Sequence, residues 1–279
     1  MSSIDVPLKN GGFGRTSRKD NWWVEPLIVF VCYLAFIVYA NYAVFMANNF
    51  HYVGPNEAER ADYLSPMYSP MLLPEGPISA SGLTTDPAPA PTWWPVVVPF
   101  SPAMLILVFP LAFRLTCYYY RGAYYKAFWA DPPSCAVGEP RKSYLGEKYF
   151  PLVIQNVHRY ALYFAVMFII VLAYDAWKAF WFGPEGNQHF GIGVGSIVLL
   201  LNPILLGLYT FGCHSMRHLV GGRKDVLSDS PVRKSCYDCV SGLNKKHMLW
   251  AWVSMFYVGF VDIYVRLCSS GTWTDWRIL

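Results

Sequence analysis

Long apolar stretches alternate with polar ones along this chain. Five of them, at about residues 26–47, 95–119, 155–182, 192–216 and 247–268, approach the roughly 20 residues a helix needs to cross a hydrocarbon core. The first, PLIVFVCYLAFIVYANYAVFMA, carries no charge at all. The second is the weakest, because Pro95, Pro99, Pro102 and Pro110 fall in it. Pro95 and Pro99 can open a helix, but Pro110 removes a backbone donor in mid-span and predicts a kink there. Pro203 predicts the same in the fourth stretch. Residues 49–94 read differently: YLSPMYSPMLLPEGPISASGLTTDPAPAP is Pro-rich and predicts an irregular loop lying on the outer surface. The Gly-x-x-x-Gly of GIGVG (191–195) allows close helix approach, yet at the first turn of a span it reads as a flexible entry.

Composition agrees with this pattern. The chain of 279 residues is 54% hydrophobic and only 14% charged, where a soluble domain carries roughly 25% charged residues. Its 11 Trp and 20 Tyr suit aromatic belts at two membrane interfaces. The expected fold is therefore an all-α integral membrane protein, a five-transmembrane-helix bundle occupying residues 25–279 behind a polar tail at 1–24. That tail has no short apolar core with a small-residue cleavage site, so no cleavable signal is expected. Nothing in the chain points to nucleic acid.

Lys and Arg orient the bundle. Four lie in the tail (Lys9, Arg15, Arg18, Lys19), seven in residues 114–159 and seven in 217–246. The opposite side has only Arg60, Lys178, Arg266 and Arg277. Eighteen against four puts the amino terminus in the cytoplasm and the carboxyl terminus outside.

On that topology the chemistry gathers at one face. His158 opens the third span, His214 and His218 close the fourth, and His247 opens the fifth, all at the cytoplasmic ends; His51 and His189 lie outside. Cys117, Cys135, Cys213, Cys236 and Cys239 fall on the same cytoplasmic side. Imidazoles beside thiols suit zinc or iron–sulfur, and two facing imidazoles suit a b haem. A Rieske-type 2Fe–2S cluster takes two Cys on one iron and two His on the other. Bis-His haem needs histidines well inside two spans, and these stand near the ends. The Cys236-Tyr-Asp-Cys239 pair is a modest signal, a C-x-x-C without a second half in a basic loop.

The strings FRLTCYYYRGAYYKAFW (113–129), DPPSCAVGE (131–139), QNVHRYALY (155–163), GCHSMRHLVGG (212–222), NKKHMLWAW (244–252) and VDIYVRL with GTWTD (261–275) resemble the actinobacterial succinate dehydrogenase membrane anchor, over most of residues 95–279. The resemblance implies the single-chain anchor of a respiratory complex II in the bacterial cytoplasmic membrane, part of the tricarboxylic acid cycle and able to form a higher oligomer. It also implies two partners, an FAD-containing flavoprotein that oxidises succinate and an iron–sulfur subunit. The better-known five-span anchors hold two b haems with histidines of the first four spans, whereas spans one and two here have no internal His. The actinobacterial group resembles anchors in which a membrane-embedded Rieske-type cluster replaces haem. Carried over by position, its candidate ligands are His214, His218, His158, His247, Cys117, Cys213 and Cys135. The order puts His214, His218 and His158 first for nitrogen, and Cys117 and Cys213 first for sulfur. Cys213 and His214 are adjacent and splay about 100° on a helix, which works against both reaching one cluster.

Quinone reduction needs hydrogen-bond donors and aromatic walls at the same depth. Tyr119, Tyr120, Arg121, Gln155, Arg159, Tyr160, Ser215, Trp250 and Trp252 meet that description, and each also suits an aromatic and basic girdle. Asp262 stands four residues before Arg266, so the two can pair along the fifth span. Asp175 and Lys178 read as interfacial anchors. Three other readings remain open: a b-haem anchor of the same complex, a redox-inert structural anchor, and a transporter. The last lacks repeated halves and a charged midplane site.

Overall fold

The computed structural model describes residues 12–120, 133–138, 148–149 and 152–279, apart from 57, 73–76, 79–80, 86–88, 96 and 98–99. Its elements in order are α1 (Val24–Met46), β1 (His51–Tyr52), β2 (Tyr63–Leu64), α2 (Pro102–Leu115), α3 (His158–Lys178), β3 (Trp181–Phe182), β4 (His189–Phe190), α4 (Val194–Phe211), α5 (His214–Gly221), α6 (Pro231–Asn244) and α7 (His247–Ser269). A 3-10 turn, Leu152–Val157, leads into α3.

Four helices are long and apolar enough to cross a membrane: Val24–Met46, Val153–Lys178 with the leading turn, Val194–Phe211 and His247–Ser269. The second expected span is shorter than its apolar stretch. It is the 14-residue α2, about 21 Å long at 1.5 Å per residue, against a hydrocarbon core of about 30 Å. Pro102 opens it, where a missing N–H costs nothing, and Pro110 lies inside. The third stretch is also cut back. Its helix stops at Lys178, and Trp181–Phe182 instead pairs antiparallel with His189–Phe190.

The chain divides into two compact units, Met1–Val38 with Ala112–His158 and Tyr39–Leu111 with Arg159–Leu279. In the first, Arg18 holds Asp20, Ser134 Oγ (3.0 Å) and the Cys135 carbonyl (2.8 Å), tying residues before α1 to the segment after α2. Tyr120, 1% exposed, receives a 2.5 Å hydrogen bond from Arg114 and packs on Tyr33 with ring centroids 5.8 Å apart.

The second unit is built around α4 and α7, which pack along their length, with Val198, Leu199, Val261 and Val265 among the buried residues of its core. One end is closed by residues 50–70. This segment is irregular apart from its two-residue strands, but it is not laid over the surface: Tyr63, Ser65 and Ser69 are each 0% exposed. The glycines of 191–195 explain how it fits. A Cβ on Gly195 would stand 2.2 Å from the Tyr63 ring, and one on Gly193 would stand 2.6 Å from its hydroxyl. Gly193 and Gly195 are thus a seat for a tyrosine from the loop, while Gly191 lies against the Leu279 carbonyl and the Phe182 ring, so the run is a packed surface rather than a flexible entry. The last residues close the same end, where Ile192 exchanges backbone hydrogen bonds with Ile278 and Leu279.

Candidate functional site

The seven proposed ligands separate by burial. Cys117, Cys213, His158 and His247 are 1%, 1%, 8% and 2% exposed, whereas Cys135, His214 and His218 are exposed. Cys117 and His158 are buried within one unit, Cys213 and His247 within the other.

In the first unit, α2 runs out at Leu115 and Cys117 follows in a turn, its N–H donating to the Arg114 carbonyl at 3.1 Å. His158 stacks on Phe113, centroids 4.4 Å apart and planes 11° apart. Its Nδ1 lies 3.0 Å from both the Phe113 carbonyl and Thr116 Oγ1, and Thr116 Oγ1 donates in turn to the Ala112 carbonyl at 2.7 Å. A backbone carbonyl can only accept, so the contact to Phe113 O places the proton on Nδ1 and the lone pair on Nε2. Metal-ligating histidines habitually show this arrangement, because the second hydrogen bond fixes tautomer and ring orientation.

The second unit repeats the pattern. Cys213 follows the end of α4, its N–H donating to the Thr210 carbonyl at 3.2 Å. Tyr209, four residues before Cys213 as Phe113 is four before Cys117, stacks on His247 with centroids 5.0 Å apart and planes 17° apart. Both histidines open a span. Neither stacking aromatic, nor Thr116, stood among the residues expected from sequence. The shared spacing, aromatic-x-x-x-Cys at one helix end with His opening a later span, is visible in the chain once the two pairs are aligned.

His214 and His218 do something else. Cys213 caps α5, its Sγ accepting the Ser215 N–H at 3.3 Å. One turn along, His214 Nε2 and His218 Nε2 stand 3.0 Å apart with their rings at 86°. One imidazole donates to the other, and the spacing also matches two nitrogens sharing a cation at about 2.0–2.1 Å each. Partial burial, then the neighbouring His218 and Arg217, push the His214 pKa below its ordinary value. Among the described residues, no three His, Cys, Asp or Glu side chains form a group that could hold a metal ion.

The quinone candidates also differ in setting. Tyr119, Arg159 and Tyr160 are exposed, while Gln155 and Ser215 are partly buried. Tyr120 is engaged by Arg114, Trp252 stacks on Phe256 at 6.1 Å, and Arg121 lies outside the described residues. Trp250 is partly buried, with Nε1 shielded and without a hydrogen-bond partner among the described residues. Cys236 and Cys239 are exposed on α6.

At the end closed by residues 50–70 the buried carboxylates are paired. Asp262, 0% exposed, accepts from Arg266 Nε at 2.8 Å, Tyr39 Oη at 2.5 Å and Ser65 Oγ. The expected Asp262–Arg266 pair is therefore part of a larger clasp, in which Arg266 also donates to the Ala43 and Asn48 carbonyls at 2.7 Å each. Lys178 and Asp175 are more than surface anchors: Lys178 pairs with Asp62, and Asp175 accepts from Ser69.

The chain matches the family described as actinobacterial succinate dehydrogenase subunit SdhC over residues 24–271. No curated protein matches it. Among solved structures it is similar to a chain of the Mycobacterium smegmatis Sdh1 complex in the apo form, with 39% identity, a TM-score of 0.79 and 100% of each chain covered.

Proposed function

The chain belongs to the actinobacterial succinate dehydrogenase SdhC family, and we propose that within that complex it passes electrons from an iron–sulfur subunit through a Rieske-type 2Fe–2S cluster to quinone. It is the membrane-anchor subunit of succinate dehydrogenase, and the catalytic activity is carried by partner subunits. What supports the proposal is residue chemistry and burial: Cys117 and His158 are buried within one unit, and Cys213 and His247 within the other. Two thiols and two imidazoles are the donor types that such a cluster takes, and when bound it relays single electrons. Burial ranks these four ahead of His214, His218 and Cys135, because low dielectric and exclusion of water tune a cluster's potential.

The chain's own residues prepare those donors. Phe113 O and Thr116 Oγ1 keep the proton of His158 on Nδ1. Phe113 and Tyr209 hold the two rings flat and exclude water from one face of each. Residues 114–159 and 217–246, with their fourteen Lys and Arg, lie on the cytoplasmic side, where the FAD-containing flavoprotein and the iron–sulfur subunit dock on a complex held in the bacterial cytoplasmic membrane. Quinone enters from the bilayer and takes its donors from the residues named above.

An iron count with electron paramagnetic resonance on the purified complex tests this. The expected result is two irons per complex beyond those of the soluble subunits, with a signal at g values typical of mixed nitrogen and sulfur ligation. Sharp visible bands of reduced b haem, or no iron beyond the soluble subunits, would overturn it.

A further inference from the structure

Resting on the quinone reduction proposed above, we infer that the indole N–H of Trp250 donates the hydrogen bond that holds a quinone carbonyl oxygen. An indole nitrogen can only donate. That of Trp250 is shielded from solvent and has no acceptor among the described residues. Leaving such a donor unmade is costly, so an acceptor arriving from outside the chain gains from meeting it.

The position of Trp250 says where that acceptor comes from. It lies three residues after His247 on α7, so it stands about 60° round the helix and roughly 4.5 Å further along. The buried stripe of this part of α7 runs through His247, Ala251, Ser254 and Met255. Leu249 and Val253, on the other side, are 52% and 37% exposed, the apolar face of a membrane-crossing helix. Trp250 sits on the border between the two. A molecule arriving at this border through lipid reaches the shielded indole N–H, within about a turn of a buried histidine, once the side chains over it part. Hydrocarbon tails offer no acceptor; a carbonyl on an otherwise apolar ring does.

Quinone becomes quinol by taking two electrons from succinate, through the partner subunits, and two protons from water. The indole keeps its proton throughout. It accompanies one oxygen that accepts a hydrogen bond both as carbonyl and as hydroxyl, so Trp250 is a binding group for the headgroup and not a proton source.

The test uses the whole complex carrying Trp250→Phe, which keeps the ring and removes the donor, and Trp250→His, which restores an N–H. Reduction of a short-chain quinone by succinate gives KM and kcat; reduction of a soluble dye reports the partner subunits. We expect Trp250→Phe to raise the quinone KM about tenfold, as loss of one hydrogen bond to a bound ligand does, with a smaller change in kcat. Trp250→His should recover part of that loss. A KM within twofold of the parent overturns the assignment. So does an unchanged KM with lipid-dependent loss of thermal stability, which would give the acceptor to a lipid ester carbonyl. Poor retention of the soluble subunits at unchanged KM would give it to a partner's backbone and overturns the assignment equally. The readout does not depend on the cluster: absence of the membrane iron signal in the parent complex defeats the electron path proposed above, while the KM shift still decides the role of Trp250.

Discussion

The two ends of the larger unit are built on opposite principles. Where residues 50–70 close it, carboxylates are matched: Asp262 with Arg266, Tyr39 and Ser65, Asp62 with His51 and Lys178, Asp275 with Tyr63, Tyr264 and the Gly195 N–H. At the end where α4 stops and α7 starts, a buried thiol and a buried imidazole stand beside an indole N–H that has no acceptor among the described residues, with a pair of exposed imidazoles one turn on. A matched polar network fixes structure; groups left reactive or unmet are kept for something that binds. The first end holds the larger unit together, and the second carries the groups to which the proposed function assigns chemistry.

Substitutions should separate the two accordingly. Asp262→Ala removes the shared acceptor and leaves Arg266 buried with its charge uncompensated, at a cost of about 3–5 kcal/mol. The expected outcome is a sharply lowered thermal midpoint or loss of assembled complex, read by unfolding in detergent. A smaller loss, about 1–3 kcal/mol, follows for Gly195→Ala, whose new methyl would overlap the Tyr63 ring. Milder still is the response to acid. Burial works against the charge on Asp62, but the hydrogen bonds and charges of His51 and Lys178 outweigh it and hold the carboxyl at about 2, below its ordinary 3.8. A depressed carboxylate pKa means that the folded state binds fewer protons between those values. Its stabilisation is therefore complete above about pH 4 and is lost as the pH falls towards 2. Asp62→Asn should flatten this acid limb; an unchanged limb would assign the loss to other groups. Least affected should be the double variant His214→Ala with His218→Ala, whose exposed side chains predict a stability change within about 0.5 kcal/mol in the same unfolding assay.

Much of this was legible in the chain. Apolar stretches located the long helices because a span must be continuously apolar, and the i, i+4 spacing of Asp262 and Arg266 gave their pairing directly. Pattern overestimated α2, where apolar residues continue beyond the helix on both sides of Pro102–Leu115. It misread residues 50–70 because Pro-rich composition reports irregular backbone and not burial; Tyr63 fits only because Gly195 has no side chain. At the candidate site, residue type and position gave seven candidate sulfur and nitrogen donors. They put His214 and His218 first, whereas burial puts His158 and His247 ahead, through rings four residues before a cysteine and a backbone carbonyl at Phe113.

The central claim is that the buried donors, and not the exposed imidazole pair, serve the redox centre. Electron paramagnetic resonance of the reduced complex tests it, comparing His247→Ala with the double variant His214→Ala and His218→Ala. The account predicts that the membrane-embedded iron signal and succinate-driven quinol formation vanish in the first and persist in the second; the reverse pattern would contradict it.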